Sequence, residues 1–289
     1  MPRLIVNADD FGLTAGVNRA ILEAHRRGLV TSATLMANSQ AFDEAARLAK
    51  FELRLSVGCH VVLVDGEPVL PGTQVPSLLR PGSPSQFRQG LAGFALAAAR
   101  GRFRQDDIQA EVTAQIQKLQ AAGLPVTHVD THKHAHMFPA VLRPLLRAAR
   151  ACGVRAVRNP FAPVKPLALA HLLRRPPLWS RYTEVKLLRR WAAGFQQAVQ
   201  AEDMATPDGT LGIVVTGKLD EKLFAAIAGS IPEGTWEFVC HPGYNDTDLG
   251  RAKTRLRASR VKELEVLTSE GARAAIAARG IELISYAAL

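Results

Sequence analysis

Short apolar runs, each long enough for one buried strand and each closing on a polar group, recur along this chain and alternate with helix-like stretches. Leu4-Ile5-Val6 leads into Asp9 and Asp10, and SVGCHVVL carries His60. The next run holds His128, Asp130, His132, His134 and His136. VRAVRNP carries Arg158, and WEFV is followed by Cys240 and His241. Repeated strand–helix units in one uninterrupted chain imply a parallel sheet with helices packed on it. Chemistry at the ends of successive buried strands is how (β/α) barrels and doubly wound sheets carry active sites. The pattern therefore predicts an α/β enzyme.

The spacing predicts strands at Leu4–Asn7, Leu29–Met36, Leu55–Leu63, Val126–His132, Val154–Arg158, Leu211–Thr216, Trp236–Cys240 and Ile281–Tyr286. Helices are predicted at Thr14–Arg27, with Thr14 as N-cap and Gly28 as C-cap, and at Ala41–Lys50. Another starts at Asp106 or Asp107 and runs to Gly123, and others cover Pro139–Cys152, Leu219–Ser230 and Arg255–Arg279. About seven or eight strands suit a closed or nearly closed (β/α) barrel, so a single domain over residues 1–289 is expected. Two segments interrupt the alternation. Residues 64–105 are rich in Pro and Gly and read as a long loop, of the kind that usually serves as a lid or substrate loop. Residues 161–207 read as a basic helical insertion.

The net charge of +10 is the feature that asks for a partner. Nucleic acid is the reflex reading of a basic chain, but only 6% of residues are aromatic and no nucleic-acid motif appears, so none is expected. Within 165–191, Lys165, Arg174, Arg175, Arg181, Lys186, Arg189 and Arg190 alternate with leucines and with Trp179 and Trp191. Such a mixture marks either a surface resting on anionic lipid or an amphipathic excursion packed on its own domain. Three cysteines without CxxC spacing indicate neither a disulfide framework nor a cysteine zinc site. No apolar stretch approaches the roughly 20 residues of a transmembrane helix, and the acidic pair at 9–10 rules out a secretory signal there. A cytoplasmic protein is expected, with peripheral contact at the inner membrane face as the refinement.

His128, Asp130, His132, His134 and His136 share one parity. On an extended strand, neighbours two apart are separated by roughly 7 Å, so one ion with bonds of about 2 Å takes one or two of them at most. The others line a pocket, orient a ligand or cap the following helix, and Asp130 suits the fixing of a ligating imidazole in its tautomer. Asp9 and Asp10 would point opposite ways on a strand unless it ends there, which Gly12 suggests. One would then bind a metal while the other stays free as a base, unless one is simply a helix cap. With His60 and the histidine run, a mixed Asp/His/His site is favoured. His241, where a strand turns into Pro242-Gly243, suits a general acid or a buried structural histidine. Arg158 pairs with Asp9 and tunes it, binds substrate, or is a surface arginine.

The ADDFG opening, Gly58-Cys59-His60, the Thr127–His136 run, the CHPG segment and Leu267–Ser269 together resemble the YdjC-like carbohydrate deacetylases. This group contains the chitooligosaccharide deacetylases. The resemblance covers nearly the whole chain. It implies a distorted (β/α) barrel that removes acetyl from an N-acetylated amino sugar with the help of one divalent ion, zinc or magnesium. It also implies Asp10, His60 and His132 as metal ligands, Asp9 as base and His241 as acid. Asp130, His134, His136 and Arg158 would then serve substrate binding or support the ligands. The wording of Leu63–Pro71, Val75–Leu79 and His132–His136 is similar to a branch associated with hopanoid biosynthesis, whose expected substrate is an N-acetylglucosaminyl glycolipid. Set against it are a soluble chitooligosaccharide substrate and a non-catalytic glycan or membrane-surface binder with a structural metal. A homodimer is the assembly considered.

Overall fold

A computed structural model of the protein describes residues 1–163 and 175–289. Its strands are β1 (Arg3–Phe11), β2 (Ser32–Leu35), β3 (Ser56–Val61), β4 (Val126–Thr131), β5 (Ala156–Val157), β6 (Gly209–Leu211), β7 (Thr235–Cys240) and β8 (Glu282–Ile284). Seven of them form one parallel sheet in the order β5-β4-β3-β2-β1-β7-β6, and β8 pairs with the start of β1. The sheet curls into a distorted (β/α) barrel. Its seam lies between β5 and β6, joined by a bridge between Ala156 and Ala205 and by a hydrogen bond of 3.0 Å from Thr210 N to the Phe161 carbonyl.

Both faces of the central strands are covered, which accounts for their near-continuous apolar runs. Leu4, Ile5, Val6 and Ala8 on β1 are buried, as are Val57, Cys59 and Val61 on β3. Helix Ala15–Arg27 packs Val17, Ile21 and Ala24 against this core. Thr14 caps it by accepting from Val17 N at 3.2 Å, and His25, Arg26 and Arg27 occupy its last turn, where cations suit the helix dipole.

Several expectations are corrected. The segment 64–105 is not one irregular loop, since Leu91–Ala99 is a helix and Gly72–Gln74 and Pro76–Leu78 are 3₁₀ turns. LAGFALAAA has almost no polar residue, so it lacks the two-faced pattern that reveals a helix. Neither Asp106 nor Asp107 caps helix Gln105–Ala121; Arg104 holds that position, and Asp107 accepts from Ser77 N at 2.9 Å. Val69 N and Leu70 N donate to Glu111, so the long connection is tied to this helix. The strand expected at Leu211–Thr216 ends at Leu211, because Gly212 turns left-handed at φ 91° and a 3₁₀ turn follows. The helix expected at Arg255–Arg279 is two helices, Ala258–Thr268 and Glu270–Ala278, with Ser269 capping the second. Within 175–207, Trp179–Leu188 and Ala192–Ala201 are helical. Lys165, Leu169, Leu172, Leu173 and Arg174 lie outside the described residues.

Candidate active site

The first requirement is that two adjacent aspartates face the same interior. β1 does not end before them, as the sequence suggests, but continues to Phe11 through a register irregularity between Ala8 and Phe11. Asp10 sits there at φ 65°, a left-handed conformation that aspartate tolerates better than most residues. The bulge turns both carboxylates inward, and Asp9 and Asp10 are only 3% and 4% exposed.

Register supplies the partners. His60 on β3 lies opposite Asp130 on β4, and its Nδ1 is 2.8 Å from the Asp130 carboxylate. His60 Nε2 therefore faces the other way, toward Asp10 Oδ1 at 3.5 Å. β4 ends at Thr131, and His132 begins a turn in which Lys133 and His134 are both left-handed, at φ 56° and 53°. The shared parity of the run therefore breaks at His132, whose Nδ1 is 3.6 Å from Asp10 Oδ1 and 3.4 Å from His60 Nε2. A triangle with edges of 3.4, 3.5 and 3.6 Å has a circumradius of about 2.0 Å, the length of an ordinary metal–nitrogen or metal–oxygen bond. The donor set and its spacing fit a divalent ion. His132 is 24% exposed and, with Asp10, lines a cavity of about 360 Å³ walled by Asn38, Asp65, Gln86 and Lys253 among others. Part of this wall comes from the connection after β3.

Asp9 belongs to a different group. The buried Arg158 guanidinium donates Nη1 and Nη2 to its two oxygens at 2.8 and 2.6 Å. The same guanidinium reaches Asp130 at 2.5 Å and donates Nε to Glu237 at 2.8 Å. Of the three roles open to Arg158, the pairing with Asp9 is the one found. Burial pushes the Asp9 carboxyl up, but the charge and hydrogen bonds of Arg158 together with the His60 charge carry the net direction down. Burial likewise acts against the Asp10 charge, and the buried Arg260 on its Oδ2 holds Asp10 well below the usual carboxylate range. For His60, burial disfavours the cation, yet Asp130, Asp9 and Asp10 push it up to about 9. A cluster of carboxylates around an imidazole that favours positive charge is where a metal cation is electrostatically welcome.

β1 and β7 are in register at Ala8 and Cys240, so the next residues, Asp9 and His241, come together, with Nε2 3.9 Å from Asp9 Oδ2. Glu263 accepts from His241 N at 2.6 Å and lies 3.9 Å from its Nδ1. Burial lowers the His241 pKa.

The remaining histidines go elsewhere. His128 is sandwiched between Thr127 Oγ1 at 2.9 Å and Asn7 Oδ1 at 3.1 Å, stacks on Tyr286, and fills space that Gly58 leaves open. His136 ties Thr131 Oγ1 to the Arg158 carbonyl and is fully buried. His134 is half-buried, with Nδ1 lacking a hydrogen-bond partner among the described residues. Lys133 pairs with Asp65. Sequence reasoning missed Arg260, Glu263 and Glu237. The first two sit on a helix among Arg257, Lys262 and Glu265, where one more charge carries no signal, and Glu237 hides inside the apolar run TWEFVC.

The family model described as YdjC-like protein matches residues 3–278. A carbohydrate deacetylase from Geobacillus stearothermophilus is 36% identical, covering 99% of this chain and 98% of that protein. One from Brevibacillus brevis is 32% identical over 99% of each. Among solved structures, a protein described as a cellobiose-phosphate cleavage protein from Enterococcus faecalis superposes with a TM-score of 0.80 at 27% identity, covering 99% of this chain and 98% of that one.

Proposed function

Since this chain belongs to the YdjC-like protein family, we propose that it is a carbohydrate N-deacetylase, one domain over residues 1–289, that hydrolyses the acetamide of an N-acetylated amino sugar. The observation that carries the reading is the arrangement around Asp10. Three donor atoms lie mutually 3.4–3.6 Å apart, two of them on residues that line the cavity, Asp10 and His132, while a carboxylate and an imidazole 3.9 Å apart stand beside them.

Asp10, His60 and His132 would hold one divalent ion, with zinc or magnesium the candidates. Such an ion supplies Lewis acidity toward a water and an acyl oxygen. Asp9 takes a proton from the attacking water; Arg158 fixes both of its oxygens and keeps it ionised. His241, whose Nε2 lies 3.9 Å from Asp9 Oδ2, delivers a proton to the departing amine nitrogen. Asp130 holds His60 through Nδ1, so that Nε2 is the nitrogen presented to the ion.

The finer substrate is an N-acetylglucosaminyl glycolipid, reached by peripheral contact with an anionic membrane. Supporting this, helix Trp179–Leu188 exposes Trp179 and Leu187 beside Arg181 and Lys186, and no helix among the described residues is long and apolar enough to cross a membrane. A soluble chitooligosaccharide is the second reading, favoured by the amide side chains of Asn38, Gln40, Gln86 and Gln89 around the cavity. Acetate release from an N-acetylglucosaminyl lipid in anionic vesicles and from diacetylchitobiose, each with and without added ion, tests both levels. Release from neither substrate at any ion concentration would overturn the deacetylase assignment. Release from diacetylchitobiose alone would overturn the glycolipid.

A further inference from the structure

Arg260 lies on helix Ala258–Thr268, 250 residues from Asp10 in sequence, yet it is fully buried and its Nη2 is bonded to Asp10 Oδ2. The other oxygen of that carboxylate, Oδ1, is the one that faces His60 and His132. Arg260 Nε donates to the Leu256 carbonyl at 3.1 Å, and Nη1 has no hydrogen-bond partner among the described residues. A buried arginine serving only to stabilise the fold is ordinarily satisfied on all its donors. This one leaves a donor unused and spends its charge on the oxygen turned away from the two imidazoles.

The path of the side chain is itself constrained. A Cβ at Gly243 would come within 2.8 Å of Arg260 Cδ, so the turn after His241 is glycine where the arginine stem passes. Gly243 N donates to the Arg260 carbonyl at 3.2 Å, and one helical turn further Glu263 accepts from His241 N. Residues three apart share a helix face. One rigid helix thus sets both the carboxylate of the candidate ligand and the backbone of the candidate acid.

Building on the metal reading above, we infer that Arg260 is a positioning residue that confines Asp10 to coordination through Oδ1 and holds down the affinity of the centre. The carboxylate can bind an ion through one oxygen or both, and the guanidinium removes the second option. Its positive charge also competes with the dication for the same anion, so the site binds less tightly than its donor set alone would allow. In the metal-free chain the roles reverse, because Arg260 then helps to neutralise a buried carboxylate.

Cobalt titration of the chelator-stripped full chain tests this, using wild type, Arg260→Met, Arg260→Gln and, as control, His132→Ala. Arg260→Gln keeps a donor for Oδ2 without charge: cobalt should bind about tenfold tighter or more, with the visible absorption band of the wild type. Arg260→Met frees Oδ2: affinity should rise similarly, and the band should weaken as the second oxygen joins the ion. In both variants cobalt should raise the Tm by more than it does in wild type. An arginine that only supports the fold would lower the Tm equally with and without cobalt and leave affinity and band unchanged, and that result overturns the inference. If Arg260→Met does not fold, Arg260→Gln decides alone through affinity and Tm. Wild type that takes up no cobalt, or His132→Ala that takes it up undiminished, overturns the metal reading itself.

Discussion

His60 and His128 occupy neighbouring strands of one barrel, both fully buried, and they are driven in opposite directions. His60, against Asp130 with Asp9 and Asp10 nearby, is pushed up to about 9. His128 lies between a threonine hydroxyl and an asparagine amide, and burial pushes it down to about 3. A contrast of position separates His132, which lines the cavity, from His136, which is fully buried, braces two strands and is lowered by burial to about 4. Histidine content thus says little about where a cation goes. What decides is whether the imidazole's partner is a carboxylate or a neutral group, and whether its second nitrogen faces open space.

The sharpest way to break this division is His132→Ala. It should bind no ion and lose acetate release by at least about 10²–10³-fold, the usual cost of removing one electrostatic stabiliser of an oxyanion, while urea unfolding remains close to wild type. If the variant kept its ion, the two groups of histidines would not be functionally distinct. Asp9→Asn comes next: turnover should fall by about 10²–10⁴-fold with ion stoichiometry unchanged, as measured by acetate assay and metal analysis on one sample. Arg158→Met probes the layer between the two groups. Removing the guanidinium leaves Asp9, Asp130 and Glu237 without their shared cation, so unfolding free energy should drop by about 3–5 kcal/mol in urea titrations.

Residue for residue, the smallest effect is the pH response of the structural pair. His128 and His136 are lowered in the fold to about 3 and about 4, against an ordinary value of 6.5. Their contribution is therefore complete above pH 6.5 and is lost as pH falls toward those values, because the unfolded chain takes up protons first. Each should cost about 1.4 kcal/mol per pH unit in that window. Urea midpoints measured from pH 7 to pH 5 should decline accordingly, with a shallower slope in His136→Gln.

The strand ends were readable because a buried parallel strand needs an apolar run and a functional barrel needs polar groups at its close; β1, β3, β4 and β7 all carry that pattern. Asp9, Asp10, His60, His132 and His241 meet where it suggests. Parity misled at two points. Asp9 and Asp10 share a side only because of a bulge, and His132 leaves the strand before its parity counts, and both depend on backbone angles that adjacent letters do not encode. Arg260 and Glu263 were illegible for another reason: their partners lie at positions 10 and 241, on strands that one helix's pattern does not name. Thr268-Ser269-Glu270 did carry a local cap signal, masked by the helical character of the segments on either side.

The left-handed backbone at Asp10 restricts what chemistry can be written at that position. Beside two imidazoles, Asp10 is the one carboxylate of the candidate donor set, a part that only aspartate or glutamate can play; a positive φ admits glycine, asparagine and aspartate far more readily than longer or branched residues. Only one letter of the genetic alphabet satisfies both filters. A designer transplanting this centre into another barrel must therefore copy the bulge along with the side chains, because on a regular strand the two neighbouring carboxylates would part company.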